Sequence, residues 1–210
     1  MATAIQPDRG CLFYLMGPSG AGKDTLLDAC RGQEVSGRHL RIAPRYITRR
    51  AGSGGEDHIA LTPAVFRVRV DNGDFALHWR ANGRCYGIGV EVDRWLANGD
   101  PVLVNGSRAH LDEALTQYGD SLVPIMVCVD FDRQRQRLLD RGRETIEEID
   151  ARIARSRRLQ ARLEHRFATI HNDGSLTHAT RQLLAIIDDH LTAQKPQRHA
   201  VGQRRHQSGH

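Results

Sequence analysis

The stretch MGPSGAGKDT (residues 16–25) brings three glycines, a lysine and a carboxylate together at a spacing suited to a polyphosphate. Glycine lets successive backbone N–H groups turn toward one point as an anion nest, and a lysine beside the nest adds a point charge. Gly17, Gly22 and Lys23 satisfy the phosphate-loop pattern G-x-x-x-x-G-K, whose next residue is a Ser or Thr with its hydroxyl on Mg²⁺. Asp24 stands in that place, with Thr25 one position later. Gly17, Pro18, Ser19, Gly20, Ala21, Gly22, Lys23, Asp24 and Thr25 are therefore candidate ligands of ATP, with Lys23 aimed at the β and γ phosphates. Asp24 leaves three readings open: a kinase with unusual metal chemistry, a loop that only binds, and a chance match.

Three further segments could meet a phosphorylated ligand. RLLDRGRETIEEIDARIARS (residues 137–156) sets Arg141, Arg143 and Arg152 around a polar connection between two helices. A lid built there could bring guanidinium groups onto a transferring phosphoryl group, although a solvated helix with Glu/Arg pairs four apart has the same composition. RYITRR (45–50) and GGED (54–57) offer Tyr46, Thr48 and Arg49, since arginine grips an oxyanion bidentately; a plain surface loop is the alternative. NGSRAH (105–110) closes an apolar run and opens a helix, where ligands collect in open α/β sheets, so Ser107 and Arg108 are candidates. No histidine stands at metal-ligand spacing from a cysteine or carboxylate.

The elements that must position these residues are legible in outline. CLFYLM (11–16) reads as a buried strand, and DTLLDACR (24–31) as a helix, so the glycine loop sits between strand and helix as the motif requires. The polar segment from residue 35 to 57 holds one short strand. PAVFRVRVDNG (63–73) fits a helix opened by Pro63 and ended by Gly73. DFALHW and RCYGIGV form two strands joined by RANG, and EVDRWLANG a helix stopped by Gly99. PVLVNG and LVPIMVCVD are continuous apolar runs, as in parallel strands buried on both faces, with a helix near 109–118 between them. Helices at 132–141 and 147–166, a strand at ATIHND and a last amphipathic helix complete an alternation that predicts an α/β parallel sheet.

Composition narrows the class. A chain of 210 residues is one moderate domain with a sizeable core, and no apolar run approaches a membrane span. Four widely spaced cysteines without a C-x-x-C pair point to buried thiols and a reducing cytoplasm. The net charge of +5 sits largely in the tail from Gln194, where Lys195, Arg198, Arg204 and Arg205 occur without an acid. Residues 194–210 are thus expected to be a disordered basic tail, and the near-neutral body predicts no specific nucleic-acid partner. Of 30 basic residues only Lys23 and Lys195 are lysines, so the body uses arginine everywhere except in the phosphate loop.

These motifs, in this order, resemble the guanylate kinase family across residues 11–191: GPSGAGK, ITR (47–49), GGE (54–56), the Tyr-Gly of CYGIG, RLLDRGRE and NDGSL (172–176). The resemblance implies a P-loop NTPase core with a parallel sheet and flanking helices, in a kinase domain over 10–193. It further implies a small acceptor-binding subdomain at about 44–90 and a helical lid at about 141–152. Arg141 and Arg152 would be lid arginines acting in catalysis with Lys23, and Asn172 would lie near the adenine. Two departures stand out. Guanylate kinases set a glutamate against guanine in the strand before Tyr-Gly, where FALHW offers Leu77 or His78; a second acid ends the next core strand, where this chain has Asn105. A site that loses such partners loses about 10⁴ in discrimination, which argues against GMP as acceptor.

The chain is similar instead to the branch that phosphorylates ribose 1,5-bisphosphate in phosphonate degradation. MGPSGAGKD, RYITRRAGSGGEDHIAL, HWRANGRCYGIGVEVDRWL, VLVNGSRAHL and NDGSL carry that likeness, Asp24 included. It implies transfer of the γ-phosphoryl of ATP, with Mg²⁺, to the 1-phosphate of the sugar bisphosphate, giving ADP and 5-phosphoribosyl 1-diphosphate. The sugar bisphosphate would be held by Tyr46, Arg49, Arg84, Tyr86, Ser107 and Arg108. A phosphate nucleophile is ionised near neutral pH, so no general base is expected. Asp24 is expected to bind Mg²⁺ directly or through water, making up for Asn105, with Asp130 as an alternative acid and Thr25 structural. Two rivals remain: a kinase of another small acceptor (GMP or a sugar acid), and a binding module in which Asp24 marks lost catalysis.

Overall fold

The computed structural model describes residues 10–49, 58–163 and 166–194. Strand β1 (Leu12–Met16) runs through the glycine loop into α1 (Lys23–Ala29). Three two-residue strands follow, β2 (Glu34–Val35), β3 (Arg38–His39) and β4 (Arg41–Ile42), then β5 (Arg45–Ile47) and β6 (Ile59–Ala60). Next come α2 (Pro63–Asp71), β7 (Phe75–Ala81), β8 (Arg84–Gly89), α3 (Glu91–Ala97), β9 (Val102–Asn105) and α4 (Leu111–Tyr118). The chain continues with β10 (Leu122–Cys128), α5 (Phe131–Arg141), α6 (Ile146–Leu163), β11 (Ala168–His171) and α7 (Leu176–Ala193).

The central sheet is parallel throughout, in the order β11-β10-β1-β9-β4. Period-two alternation divides its apolar side chains between two cores. Phe13, Leu15, Leu103, Ile125 and Val127 pack with Leu26 of α1 and Leu183 and Ile187 of α7. Leu12, Tyr14, Met16, Val104 and Met126 face the other way, onto Val92 and Leu96 of α3 and Leu111 and Ala114 of α4. Both faces being covered explains why these strands read as unbroken apolar runs.

A second sheet, β6-β5-β8-β7, packs Leu77, Trp79 and Ile88 into that second core. Its β7–β8 hairpin turns through Asn82 (φ 50°) and Gly83 (φ 70°), the two positive φ values a tight primed turn needs. The segment expected to hold one short strand carries the end of β2, then β3, β4 and β5, and Ser36 (φ 50°) and Gly37 (φ 73°) fold its start back on itself. Helix α2 begins where Pro63 predicts, with the Thr62 hydroxyl accepting from the Val65 N–H at 3.2 Å. Helices α5 and α6 form a hairpin around Leu138, Ile149 and Ile153, turned by Gly142.

All four cysteines are free, and Cys11, Cys30 and Cys128 are buried. Among the described residues no helix is long and apolar enough to cross a membrane. Gln194 caps α7 and its side chain accepts from the Cys11 thiol, so the first residue of the segment expected to be a tail is held by the fold. The rest of that segment, from Lys195, and the expected motif residues Arg50 and 54–57 lie outside the described residues.

Candidate active site

The phosphate loop owes its shape to five carbonyls, each held by a side-chain donor. Lys23 Nζ donates to the carbonyls of Gly17 (2.9 Å) and Pro18 (3.0 Å), Gln134 Nε2 to Ser19 (2.7 Å), Arg137 Nη1 to Gly20 (3.3 Å), and Asn172 Nδ2 to Ala21 (2.8 Å). In a trans peptide the N–H points opposite to its carbonyl, so fixing the carbonyls turns the N–H groups the other way. Those of Ser19, Gly20 and Gly22 make no hydrogen bond among the described residues, the arrangement an anion nest requires. Gly22 sits at φ 82°, and a Cβ there would overlap the Asn172 amide. Only glycine fits the loop at that point.

Asp24 is not at large in solvent. Its Oδ1 accepts from Asn105 Nδ2 at 2.5 Å and lies 3.4 Å from Arg45 Nη2. Two of the positions at which this chain departs from the guanylate kinase pattern, a loop hydroxyl and a strand-end acid, are thus in direct contact. Asn105 is 1% exposed, and its Oδ1 has no partner. A buried carbonyl oxygen without a donor, beside a carboxylate with a second oxygen to spare, offers the hard oxygens that Mg²⁺ or its bound water takes. Among the described residues no three His, Cys, Asp or Glu cluster as a metal site. Mg²⁺ at phosphate sites is ordinarily held by one or two carboxylates with substrate phosphates, so the residues fit that ion. Thr25 is exposed, and its hydroxyl makes no hydrogen bond among the described residues. Asp130 is committed elsewhere: its Oδ1 accepts from the N–H groups of Asp132 and Arg133 and caps α5.

At the end of β9 the Tyr14 hydroxyl donates to the Ser107 carbonyl (3.0 Å) and accepts from the Ser107 N–H (2.8 Å). Burial is the main cause that pushes the Tyr14 phenol up to about 12, so it stays protonated. This bridge runs beneath Gly106, where a Cβ would overlap the Tyr14 ring. It fixes Ser107 and the half-buried Arg108 at the sheet's carboxyl edge. Arg108 makes no ion pair among the described residues.

The second sheet sorts the remaining candidates by face. Arg45 of β5, with a side chain 13% exposed, points toward Asp24 and lies over the Tyr86 ring at 5.6 Å. Tyr86 stacks on Trp79 (5.6 Å, 6° between planes), and Trp79 on His110 (5.5 Å, 25°). Leu77, 3% exposed, shares this face, so of Leu77 and His78, which stand where guanylate kinases set a glutamate, the one on this face is apolar. Tyr46 points the other way because neighbours on a strand alternate: it packs against Phe75 (5.4 Å) with Arg69 above it at 4.8 Å. It therefore stands on the face opposite Tyr86, the other tyrosine expected to serve the acceptor. Thr48 hydrogen-bonds the Cys85 N–H and stitches β5 to β8. Arg84 is exposed near the hairpin tip, and Arg49 lies 3.1 Å from His58 Nδ1.

On the α5–α6 hairpin, Arg141 is exposed at the end of α5, and Arg152 of α6 pairs with Glu144 at 2.9 Å. Asn172 is 5% exposed and its amide is spent on the Ala21 carbonyl. It braces the loop from the end of β11. Gln134, Arg137, Tyr14, Arg45 and Trp79 were missed from the sequence. Arg137 had a signal, being one turn before Arg141 on α5; so had Tyr14, since a tyrosine in a buried strand must satisfy its hydroxyl. Gln134 and Arg45 had none, because their partners are distant in the chain.

No family model matches the chain. Curated relatives do. It is 48% identical over 186 residues to "Ribose 1,5-bisphosphate phosphokinase PhnN" of Pectobacterium parmentieri, covering 88% of this chain and 98% of that protein. The protein of the same name from Pseudomonas paraeruginosa is 50% identical over 176 residues, with 84% and 94% covered. That of Yersinia pestis is 47% identical, with 84% and 90% covered. Among solved structures, guanylate kinase from Anaplasma phagocytophilum superposes with a TM-score of 0.63 at 16% identity, over 92% of this chain and 90% of that one. That likeness establishes a guanylate-kinase-like fold.

Proposed function

The chain belongs to the ribose 1,5-bisphosphate phosphokinase family, and from that premise we propose how its own residues divide the work. The enzyme is a phosphotransferase that phosphorylates ribose 1,5-bisphosphate, the reaction placed in phosphonate catabolism. A phosphate oxygen of the acceptor attacks the γ-phosphorus of ATP, the bond to the β–γ bridging oxygen breaks, and ADP leaves. The products are ADP and 5-phosphoribosyl 1-diphosphate.

Two polyanions must be brought together, so the protein's task is charge compensation and in-line positioning. The loop N–H groups and Lys23 bind the ATP phosphates, and the side chains of Gln134, Arg137 and Asn172 keep that nest pre-formed. Asp24, aligned by Asn105 and Arg45, would hold Mg²⁺, which when bound neutralises charge on the β and γ phosphates. Arg141 and Arg152 of the lid helices supply guanidinium groups to the transferring phosphoryl group. Arg49, Arg84, Tyr86, Ser107 and Arg108 serve the acceptor. No group has to remove a proton, and the one buried phenol near the site, Tyr14, is held protonated. The four free thiols suit a reducing cytoplasm.

The observation that supports the acceptor reading is the composition of the face of the second sheet that carries Arg45, Leu77, Trp79 and Tyr86, on which no carboxylate stands among the described residues. A base such as guanine needs acceptors for its N–H edge, whereas a bisphosphate needs cations. Phosphorus NMR of a reaction with ATP and ribose 1,5-bisphosphate is expected to show a new diphosphate on carbon 1. Rapid turnover of GMP in the same assay would overturn the acceptor assignment.

A further inference from the structure

We propose that Arg45 is a catalytic residue whose guanidinium holds the 1-phosphate of ribose 1,5-bisphosphate, the group that attacks ATP. The inference rests on the acceptor reading above and deepens it, giving one phosphate of the substrate to one side chain. Topology puts Arg45 in reach. Strands β1, β9 and β4 are parallel neighbours, so the phosphate loop after β1, Ser107 after β9 and Arg45 just after β4 all leave the same carboxyl edge of the sheet. Ligands of open α/β sheets collect outside that edge.

The side chain spans from the second sheet to the phosphate loop. Its Nη2 lies 3.4 Å from Asp24 Oδ1, and Asp24 follows Lys23 in the chain. The guanidinium therefore stands beside the place where the γ-phosphoryl group is transferred. Its backbone is fixed by the pairing of Arg45 with Ile88 across β5 and β8. Its Cζ rests over the Tyr86 ring at 5.6 Å, and that ring is stacked in turn on Trp79 at 5.6 Å with 6° between planes. With 13% of the side chain exposed, the group is neither sealed from a ligand nor free to sweep through solvent. A planar cation oriented in this way can meet a phosphate with two parallel N–H bonds.

The contact with Asp24 leaves room for that ligand. At 3.4 Å it exceeds the roughly 2.7–2.9 Å of a closed charge-assisted bond, whereas the Asn105 amide takes the same Oδ1 at 2.5 Å. An incoming phosphate can engage the guanidinium without first breaking a tight pair with Asp24. The ATP phosphates have the loop N–H groups and Lys23 on the β1–α1 side. In-line transfer brings the attacking oxygen to the γ-phosphorus from the side opposite the leaving ADP. A cation arriving from the second sheet is placed for that attacking phosphate, where it offsets the repulsion between two anions.

Calorimetric titration of the full chain, with ADP and Mg²⁺ present so that no transfer occurs, tests the assignment with ribose 1-phosphate and ribose 5-phosphate as separate probes. Arg45→Ala is expected to weaken ribose 1-phosphate about tenfold or more, as loss of a charge-assisted contact does, and to leave ribose 5-phosphate within about twofold. Arg45→Lys should recover only part, because it keeps the charge without the planar fork. ADP affinity close to that of the unmodified chain reports an intact loop; if Arg45→Ala does not fold, Arg45→Lys is read alone, and its loss should again fall on ribose 1-phosphate. Equal losses for the two probes, or a loss confined to ribose 5-phosphate, overturn the assignment. So does an altered Mg²⁺ dependence of turnover with ribose 1-phosphate affinity unchanged, which leaves Arg45 a positioning residue for Asp24. If the unmodified enzyme neither binds these probes nor turns over ribose 1,5-bisphosphate, the acceptor reading itself falls; binding of both with an indifferent Arg45→Ala removes only the role of Arg45.

Discussion

Replacing Asp24 by serine converts the loop to the common G-x-x-x-x-G-K-S form and removes the carboxylate from two partners at once. One is the Asn105 amide at 2.5 Å, the other the Arg45 guanidinium at 3.4 Å. A hydrogen bond to a charged group contributes about 1.5–3 kcal/mol, and the longer Arg45 contact adds at most about 1 kcal/mol. If Asp24 holds the metal, a loss of about 2–3 kcal/mol falls on Mg²⁺ binding. At 1.36 kcal/mol per tenfold, the Mg²⁺ concentration for half-maximal activity should rise about 30- to 150-fold. The assay is coupled ADP release with ribose 1,5-bisphosphate at fixed ATP across a Mg²⁺ titration. The double variant Asp24→Ser/Asn105→Asp moves the carboxylate back to the strand end, within reach of the same space, and should recover at least about tenfold of that loss. An unchanged Mg²⁺ dependence in Asp24→Ser refutes the metal role. A double variant no better than the single one refutes the argument that Asp24 stands in for a strand-end acid.

Three other outcomes follow from the geometry. Gly22→Ala forces a left-handed φ of 82° on a residue with a Cβ and drives it into the Asn172 amide, so ATP affinity by calorimetry should fall at least about tenfold; wild-type affinity would contradict the loop account. Tyr14→Phe leaves the Ser107 N–H and carbonyl without their shared partner at a cost of about 1–3 kcal/mol, which for a domain of this size lowers the melting temperature by about 3–10 °C. Unaltered melting would refute it. Burial holds His110 and His190 below the usual imidazole range. With native values depressed, the unfolded chain binds more protons below about pH 6.5, so stability is full above that pH and declines as pH falls through this window. His110→Phe should lose part of that decline in melting temperature between pH 7.5 and 5, and an identical pH profile would count against the assignment.

The order of elements was legible because it depends on local composition and period. The apolar runs around β1, β9 and β10, Pro63 opening α2 and Gly99 closing α3 each act within a few residues. The segment from β2 to β4 was less so, since its turn at Ser36 places a serine at positive φ, which no residue type announced. The face that Tyr46 occupies was not legible for a different reason: strand alternation decides it, and the sheet register that sets the alternation is a property of β8 and β7 as much as of β5.

What the sequence by itself determined is the phosphate chemistry. Glycines and lysine at fixed spacing between a strand and a helix bind phosphate through backbone groups contiguous in the chain, so motif and site are nearly the same object. It also showed that a carboxylate had appeared at Asp24 and another was lacking at Asn105. Only the tertiary structure decided that these are one feature: residues 81 positions apart meet because β9 lies beside β1 in the sheet. The same holds for the carbonyl brace, whose donors at Gln134, Arg137 and Asn172 arrive from α5 and the end of β11. Side-chain contacts of that range are set by strand order and helix packing, and those emerge from the burial of both faces of the sheet rather than from any local run of residues.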